Sequence, residues 1–471
     1  MTSLAPLRFR PLDGSSMLCV GDTGGFFAAP GELVDRIRND DLLDGDTELL
    51  DQHGFTLDPV NPLHFASHAH GVARRLERAD ALDYLILVPT LRCNLTCTYC
   101  QVSRADISQP GFDWSDEILA AILERIDVLD TPRLKVEFQG GEPTLRLDLV
   151  RAVIARCERF EDRQFVICTN LSTLSEDLLD LLEDPHVFIS TSLDGGFETH
   201  LRNRTADAPQ TLAFLHNVRE IVSRFGPSKV AALPTVDPAR PPAPAELIDS
   251  FTSFGLTSIY LRPVNFHGFA RKRHAGSQSL SASWRIYYEG FVRELIRRNW
   301  EDRSRVLEES YFSLCLRRIF QPGRDRHVDL RNPNPIGADY VVIDYDGIVY
   351  PTDEARMLSR SRVIDLAIGD VINGWDTEQR RILNAHSTNQ YDPACQRCTY
   401  QPYCGRDLVD DLARYGRVDM PRMETEFCRR HLHLFDFIFS LVYSGDEAVR
   451  YSLARWLHLP AEQGQLGLRL A

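Results

Sequence analysis

Three cysteines stand in one short run, Thr90-Leu91-Arg92-Cys93-Asn94-Leu95-Thr96-Cys97-Thr98-Tyr99-Cys100, at Cys-x3-Cys-x2-Cys spacing. Three thiolates in one loop can hold three irons of a 4Fe-4S cluster and leave the fourth iron open to a substrate or cofactor. Zinc knots usually pair Cys-x2-Cys units or add a closely spaced His, and no His lies nearby, so iron is the better reading. A second group, Cys395, Cys398 and Cys404 with Cys428 beyond, offers four thiolates. Four protein ligands close the coordination, which suits electron transfer or structural support; an auxiliary 4Fe-4S cluster and a structural zinc site remain alternatives on spacing alone. In Glu137-Phe138-Gln139-Gly140-Gly141-Glu142-Pro143 the two glycines let backbone approach a ligand closely, and the proline fixes the turn. Cys19, Cys157, Cys168 and Cys315 sit in apolar patterns and read as core.

The elements that must position these residues are strands at Tyr84 to Pro89, Leu134 to Gln139, Gln164 to Asn170, His186 to Ser192, Lys229 to Thr235 and Ser258 to Val264. Ile118, Ile122 and Ile126 between the first two, and Val150, Val153, Ile154 and Cys157 between the next two, repeat at helical spacing. Strands and helices in alternation imply a parallel sheet, because parallel pairing needs long crossovers and apolar strands need cover on both faces. The expected fold is α/β, a partial (β/α)6 TIM-like barrel over residues 83–320 with its chemistry on the loops after the strands. Residues 1–80 read as a small α+β unit, with strands at Met17 to Val20 and Phe26 to Ala28 and helical pieces near Leu33 to Ile37 and Glu48 to Gln52. Residues 321–337 look like a linker into a cysteine-bearing unit at 336–435, opened by a β-hairpin with Asp346-Gly347 at its turn, and 436–471 reads as a helical extension.

Of 471 residues, 53 are Lys or Arg and 67 Asp or Glu, a formal net charge of -14, which argues against an extended phosphate-binding surface and so against nucleic acid as partner. A chain that is 43% hydrophobic and 25% charged is neither disordered nor fibrous. The N-terminus lacks the apolar core of a secretory signal, and His433 and Asp436 break the longest apolar stretch, so a cytoplasmic protein with no membrane partner is expected. Eleven cysteines, most of them in two groups, fit metal ligands rather than a disulfide scaffold.

The cysteine loop, with Tyr99 before its third thiol, and Gly140-Gly141-Glu142-Pro143 after the second strand resemble the radical S-adenosylmethionine enzymes. The resemblance implies that Cys93, Cys97 and Cys100 hold the cluster and that Gly140, Gly141, Glu142 and Pro143 receive the methionine ammonium of S-adenosylmethionine, whose amino and carboxylate groups chelate the open iron. It extends to Cys168-Thr169-Asn170, Ser192-Leu193-Asp194-Gly195, His200 and Arg204, implying that Asn170, Ser192, Asp194 and Arg204 face the cofactor's ribose and carboxylate. Gly196 stands where a proline is common and Leu201 where Asp or Asn often follows the histidine.

The hairpin Gly337 to Pro351 resembles the opening of the SPASM extension, where a cysteine usually follows the proline; here Thr352 follows. Leu408 likewise occupies a cysteine position. Both positions belong to one auxiliary cluster of that family, so the likeness implies that this cluster is lost and that Cys395, Cys398, Cys404 and Cys428 hold the other, two clusters in total. Asp353 falls where sulfatase-maturing relatives carry a proton acceptor, which makes it a candidate catalytic acid/base; the alternative is that it pairs with Arg356.

Longer runs, among them Tyr350-Pro351-Thr352-Asp353-Glu354-Ala355-Arg356-Met357 and Tyr400-Gln401-Pro402-Tyr403-Cys404-Gly405, resemble the His-Xaa-Ser system radical maturases of the HxsB type. That likeness implies oxidative modification of a ribosomally made precursor peptide, a second radical enzyme of the same system as partner, an electron donor such as flavodoxin or ferredoxin, and precursor binding by a winged-helix-like unit at 1–80. A formylglycine-generating sulfatase maturase and a non-catalytic iron-sulfur scaffold are the competing readings.

Overall fold

Alternation along the strands sets the architecture. In Arg133–Gly140, Leu134, Val136 and Phe138 are fully buried under helices, while Lys135, Glu137 and Gln139 face the other side of the sheet. A strand's side chains alternate with a period of two, so one face is built apolar and the other polar. The computed structural model describes residues 3–58, 60–76, 81–102, 104–205, 207–268, 270–274, 276, 280–322, 330–375 and 377–459. Its central sheet has eight strands: β1 Tyr84–Thr90, β2 Arg133–Gly140, β3 Asp162–Cys168, β4 Val187–Thr191, β5 Val230–Ala232, β6 Tyr340–Ile343, β7 Ile348–Tyr350 and β8 Gly369–Asp370, in the order β5-β4-β3-β2-β1-β6-β7-β8. From β1 to β5 neighbours are parallel and sequential, with Leu85 opposite Val136 and Val136 opposite Phe165.

The crossovers are helices. Ser115 caps Asp116–Asp127 by accepting from Ile118 N at 3.3 Å, and that helix buries Ile122 and Ile126; Leu147–Arg156 buries Val150 and Val153. The expectation that strands are apolar on both faces fails on the inner face, where the Tyr84 hydroxyl donates to Glu137 at 2.7 Å and the Cys168 thiol donates to Glu137 at 3.3 Å. Cys168 is therefore not a core residue: Phe165 and Ile167 take the apolar face, which turns Cys168 to the polar one.

The sixth expected strand does not join this sheet. Pro234 interrupts the fifth, and a proline has no N–H to donate to a ladder. Thr235–Val236 pairs instead with Arg262–Pro263, and Ser258–Ile259 with Glu308–Glu309, as two short ladders. At the opposite edge, the hairpin with Gly347 at positive φ joins β1 through β6, with Tyr340 beside Tyr84. The cysteine-bearing region thus continues the central sheet.

Residues 7–30 form a three-stranded antiparallel sheet, Leu7–Pro11, Ser16–Gly21 and Phe26–Pro30, whose first strand the sequence reading did not include. This sheet packs into the main core: Leu18 and Val20 share that core, the Phe26 ring lies 5.1 Å from Phe439, and the Tyr403 hydroxyl donates to Gly24 O at 2.9 Å. Helix Glu426–Val442 runs through the boundary expected at 435/436, and Glu447–Trp456 follows it. Part of the expected linker (323–329), part of the expected helical extension (460–471) and residues 1, 2 and 77–80 of the N-terminal unit lie outside the described residues. Among the described residues no helix is long and apolar enough to cross a membrane.

Candidate active site

The cysteine loop begins where β1 ends. Thr90 Oγ1 donates to Asp113 at 2.6 Å, and Arg92 and Arg146 pair with the same carboxylate at 2.5 and 3.1 Å, fixing the base of the loop. The double-glycine turn then clasps it, since Gly141 N donates to Thr90 O at 2.9 Å and Glu142 N to Arg92 O at 2.8 Å. A Cβ on Gly141 would run into the carbonyls of Leu91 and Arg92, and Gly140 sits at φ +119° against Thr90 O. What the glycines admit is therefore the cysteine loop's own backbone.

Glu142 is buried and burial raises its pKa; its carboxylate accepts from Asn170 N at 2.8 Å and from Thr144 N and Oγ1 at 3.2 and 2.7 Å. It ties the end of β2 to the end of β3, while Pro143 opens the short helix Pro143–Arg146. Asn170 Nδ2 donates to Asn94 at 2.8 Å and points at Cys93 Sγ at 3.8 Å, with Leu95 N donating to the same sulfur at 3.4 Å.

Tyr99 carries the second clasp. Its buried hydroxyl hydrogen-bonds Asp194 and accepts from Arg204 Nη1 at 2.8 Å. Asp194 also accepts from Thr235 N at 3.1 Å and Asn203 Nδ2 at 3.2 Å, while Thr98 N donates to Asn203 O at 2.9 Å. Asn203 and Arg204 reach inward from a π-helical turn, Leu201–Thr205, a geometry often found at functional sites. Ser192 is half-buried just past β4. His200 is buried: it stacks on Phe214 at 4.1 Å and burial pushes its pKa down to about 3.

Burial pushes the Cys93 thiol up to about 12 and raises Cys97, against the nearby Arg204 charge in the latter case. These thiols keep their protons until an electrophilic metal displaces them. Burial likewise raises Asp194, opposed chiefly by Arg204.

Cys395, Cys398, Cys404 and Cys428 line one cavity of about 30 Å³ with Arg422, Tyr400 and Phe435. Cys395 lies in a turn capped by Asp392, and Cys428 in the first turn of Glu426–Val442, where its N–H donates to Thr425 Oγ1 at 3.2 Å. Cys404 is raised far above the usual thiol range by burial and then by the other three thiols. Among the described residues no three His, Cys, Asp or Glu side chains close on one point as single-ion ligands do.

A larger cavity, about 230 Å³, opens beside Gln101, next to the third loop cysteine, and is walled by Tyr260, Trp284 and His267. Thr352 and Leu408, the two positions where the family likeness expects cysteines, line this same cavity. Asp353 lies between two cavity-lining residues, Thr352 and Glu354, but its carboxylate accepts from Arg356 Nε and Nη2 at 3.0 and 2.9 Å. Arg356 is fully buried and also faces Asp344 at 3.8 Å. Sequence reasoning missed Asn94, Asn203, Thr235 and the aromatic cavity wall; only the two asparagines, inside or beside the motifs, carried a local signal.

Residues 87–234 match the family model of the radical SAM superfamily. They form a radical SAM domain. Among curated proteins the chain is 26% identical over 184 residues to an uncharacterized protein of Methanocaldococcus jannaschii, covering 38% of this chain and 62% of that one. It is 30% identical over 133 residues to the cysteine-type anaerobic sulfatase-maturating enzyme of Clostridium novyi, covering 26% of this chain and 35% of that one. The chain thus spans 62% and 35% of these relatives' lengths. Among solved structures, anSMEcpe with bound AdoMet and Cp18Cys peptide superposes with TM-score 0.60 at 17% identity, covering 76% of this chain and 97% of that one. Streptococcus suis SuiB bound to precursor peptide SuiA gives TM-score 0.50 at 14% identity, covering 88% and 97%. At such identities the likeness is one of fold.

Proposed function

We propose that this chain is a radical SAM peptide maturase with one auxiliary cluster. The observation that carries the proposal is the double clasp on the cysteine loop, by Gly140 to Pro143 and by Tyr99, Asp194 and Arg204, beside a large cavity lined by Gln101, the residue after the third cysteine. The donor set fits a cluster: three thiols share one loop, and two N–H groups, from Leu95 and Asn170, aim at the first sulfur, as hydrogen bonds to cluster sulfurs do. Cys93, Cys97 and Cys100 would hold it. Bound there with S-adenosylmethionine, it supplies the electron that splits the sulfonium into methionine and a 5'-deoxyadenosyl radical able to abstract hydrogen from the peptide.

The chain's own residues do the positioning. Glu142 and Asn170 fix the loop against β3, Asp194 and Arg204 fix Tyr99, and Ser192 and the turn Gly140 to Pro143 would meet the cofactor. Tyr260, Trp284 and Tyr288 give the peptide an aromatic wall that excludes water from the reacting end. The four thiols around the smaller cavity fit a closed cluster site that accepts or relays an electron. Asp353 serves here as a positioning residue, holding the helix after β7 through Arg356. Thr352 and Leu408 sharing one cavity wall supports the loss of a second auxiliary cluster, which favours the His-Xaa-Ser type over a sulfatase maturase despite the local likeness to the Clostridium novyi enzyme. Mass spectrometry of a precursor peptide coexpressed with this chain tests the proposal: a mass loss of hydrogens that depends on Cys93, Cys97 and Cys100 is expected, and an unmodified peptide beside an active formylglycine-forming reaction would replace it with the sulfatase reading.

A further inference from the structure

The chain carries a net charge of -14, yet the outer side of the cysteine loop is basic. A hollow of about 180 Å³ beside Thr98 is lined by Arg202, Arg240, Arg273 and His274, with Asp237 the one acid among its described lining residues. Asp237 is engaged inside the hollow by His274 Nδ1 at 3.0 Å, and His274 Nε2 lies 3.3 Å from Thr98 Oγ1. Arg202, Arg240 and Arg273 are exposed, as is Lys272 alongside. The patch also touches the loop that would hold the cluster, for Arg273 Nη1 donates to Cys97 O at 3.4 Å.

We propose that this basic face is the docking surface of an acidic one-electron carrier protein that reduces the cluster held by Cys93, Cys97 and Cys100; the inference rests on the radical reading above. In the step one electron leaves the carrier and enters the cluster, no covalent bond breaks, and the carrier departs oxidised by one electron. An acidic chain repels an acidic carrier at long range, so a local patch of opposite sign is what focuses the encounter on one face. Redox encounters use small, weak interfaces, and a single hollow flanked by four exposed cations is of that scale, whereas a nucleic acid needs an extended run of phosphate contacts.

The test uses anaerobic holoprotein and compares reduction of its cluster absorbance by flavodoxin hydroquinone, an acidic carrier, with reduction by photoexcited deazaflavin, a neutral small molecule. Arg240→Glu with Lys272→Glu should slow the flavodoxin reaction about tenfold or more at low salt while changing the deazaflavin reaction less than about twofold. In the unaltered protein, raising salt from about 20 to about 300 mM should slow the flavodoxin reaction by a similar factor and leave the deazaflavin reaction unchanged, a readout that needs no variant to fold. Flavodoxin rates indifferent to both the charge reversal and salt, or equal slowing with both reductants, would overturn the docking surface. If it fails alone, deazaflavin still drives 5'-deoxyadenosine formation; loss of that product in the unaltered protein would remove the radical reading and the docking surface together.

Discussion

At the residue scale, the protein resolves a conflict between close approach and burial. Gly141 brings β2 into backbone contact with the cysteine loop, and no other residue fits against the carbonyls of Leu91 and Arg92. Gly141→Ala should therefore cost about 1–3 kcal/mol and lower iron retention at the first site, read as reduced cluster absorbance after reconstitution, with the second site unaffected. Asp353 stands in the same kind of conflict. Its partner Arg356 is fully buried, so Asp353→Asn leaves a guanidinium with one distant counter-charge, Asp344, at 3.8 Å. Loss of about 3 kcal/mol on thermal unfolding is expected, together with reduced cluster content. A variant that keeps both clusters and 5'-deoxyadenosine formation yet yields no modified peptide would instead make Asp353 the proton acceptor. The thiols and glycines were legible because their spacing is local. Asp194 and Arg204 were legible only through the family likeness, and as cofactor contacts rather than as partners of Tyr99, since they meet it across more than ninety positions of chain, and the aromatic cavity wall was not legible at all, because aromatic residues in apolar helices read as core.

At the element scale, period-two and helical patterning found the strands and crossovers of the parallel sheet, and it failed where prolines and polar inner faces intervene. The fifth and sixth strands were each expected as one run, but Pro234, with no N–H to donate, interrupts the fifth, and the sixth divides into Ser258–Ile259 and Arg262–Pro263, each in a separate short ladder. One of these ladders carries Glu309, a buried carboxyl that accepts from Leu261 N at 2.9 Å and Phe312 N at 2.6 Å and hydrogen-bonds Tyr288. Burial raises its pKa from 4.5 to about 7, so the native protein binds a proton there that the unfolded chain has released. Its contribution is then fully present below about pH 4.5 and is lost as pH rises to about 7, up to about 3 kcal/mol. Glu309→Gln should flatten that part of the stability profile, measured by denaturant unfolding at pH 5 and pH 7.5; an unchanged slope would assign the pH dependence to other groups. The N-terminal unit buries Phe27, Leu33, Val34, Leu50 and Phe55 in a core of its own, while Leu18, Val20 and Phe26 on the other face of its sheet pack into the main core. Phe26→Ala should accordingly destabilise the whole chain by about 3 kcal/mol, with a single unfolding transition; two transitions would restore the separate unit.

At the scale of the whole molecule, one eight-stranded sheet carries the cysteine loop after its first strand and, through β6 to β8, leads in chain order to the second cysteine group by way of the helix Glu378–Asn384. Two clusters on one scaffold require about eight irons per chain after anaerobic reconstitution; about four irons with one zinc would convert the second group into a structural zinc site while leaving the first intact. The chemistry at the first group decides what the molecule does. Reconstituted protein given S-adenosylmethionine and a low-potential reductant should release 5'-deoxyadenosine and methionine in equal amounts, and the triple change of Cys93, Cys97 and Cys100 to Ala should abolish both while the second site keeps its metal. Persistent 5'-deoxyadenosine from that triple variant, or none from the unaltered protein with a full complement of iron, would contradict the assignment.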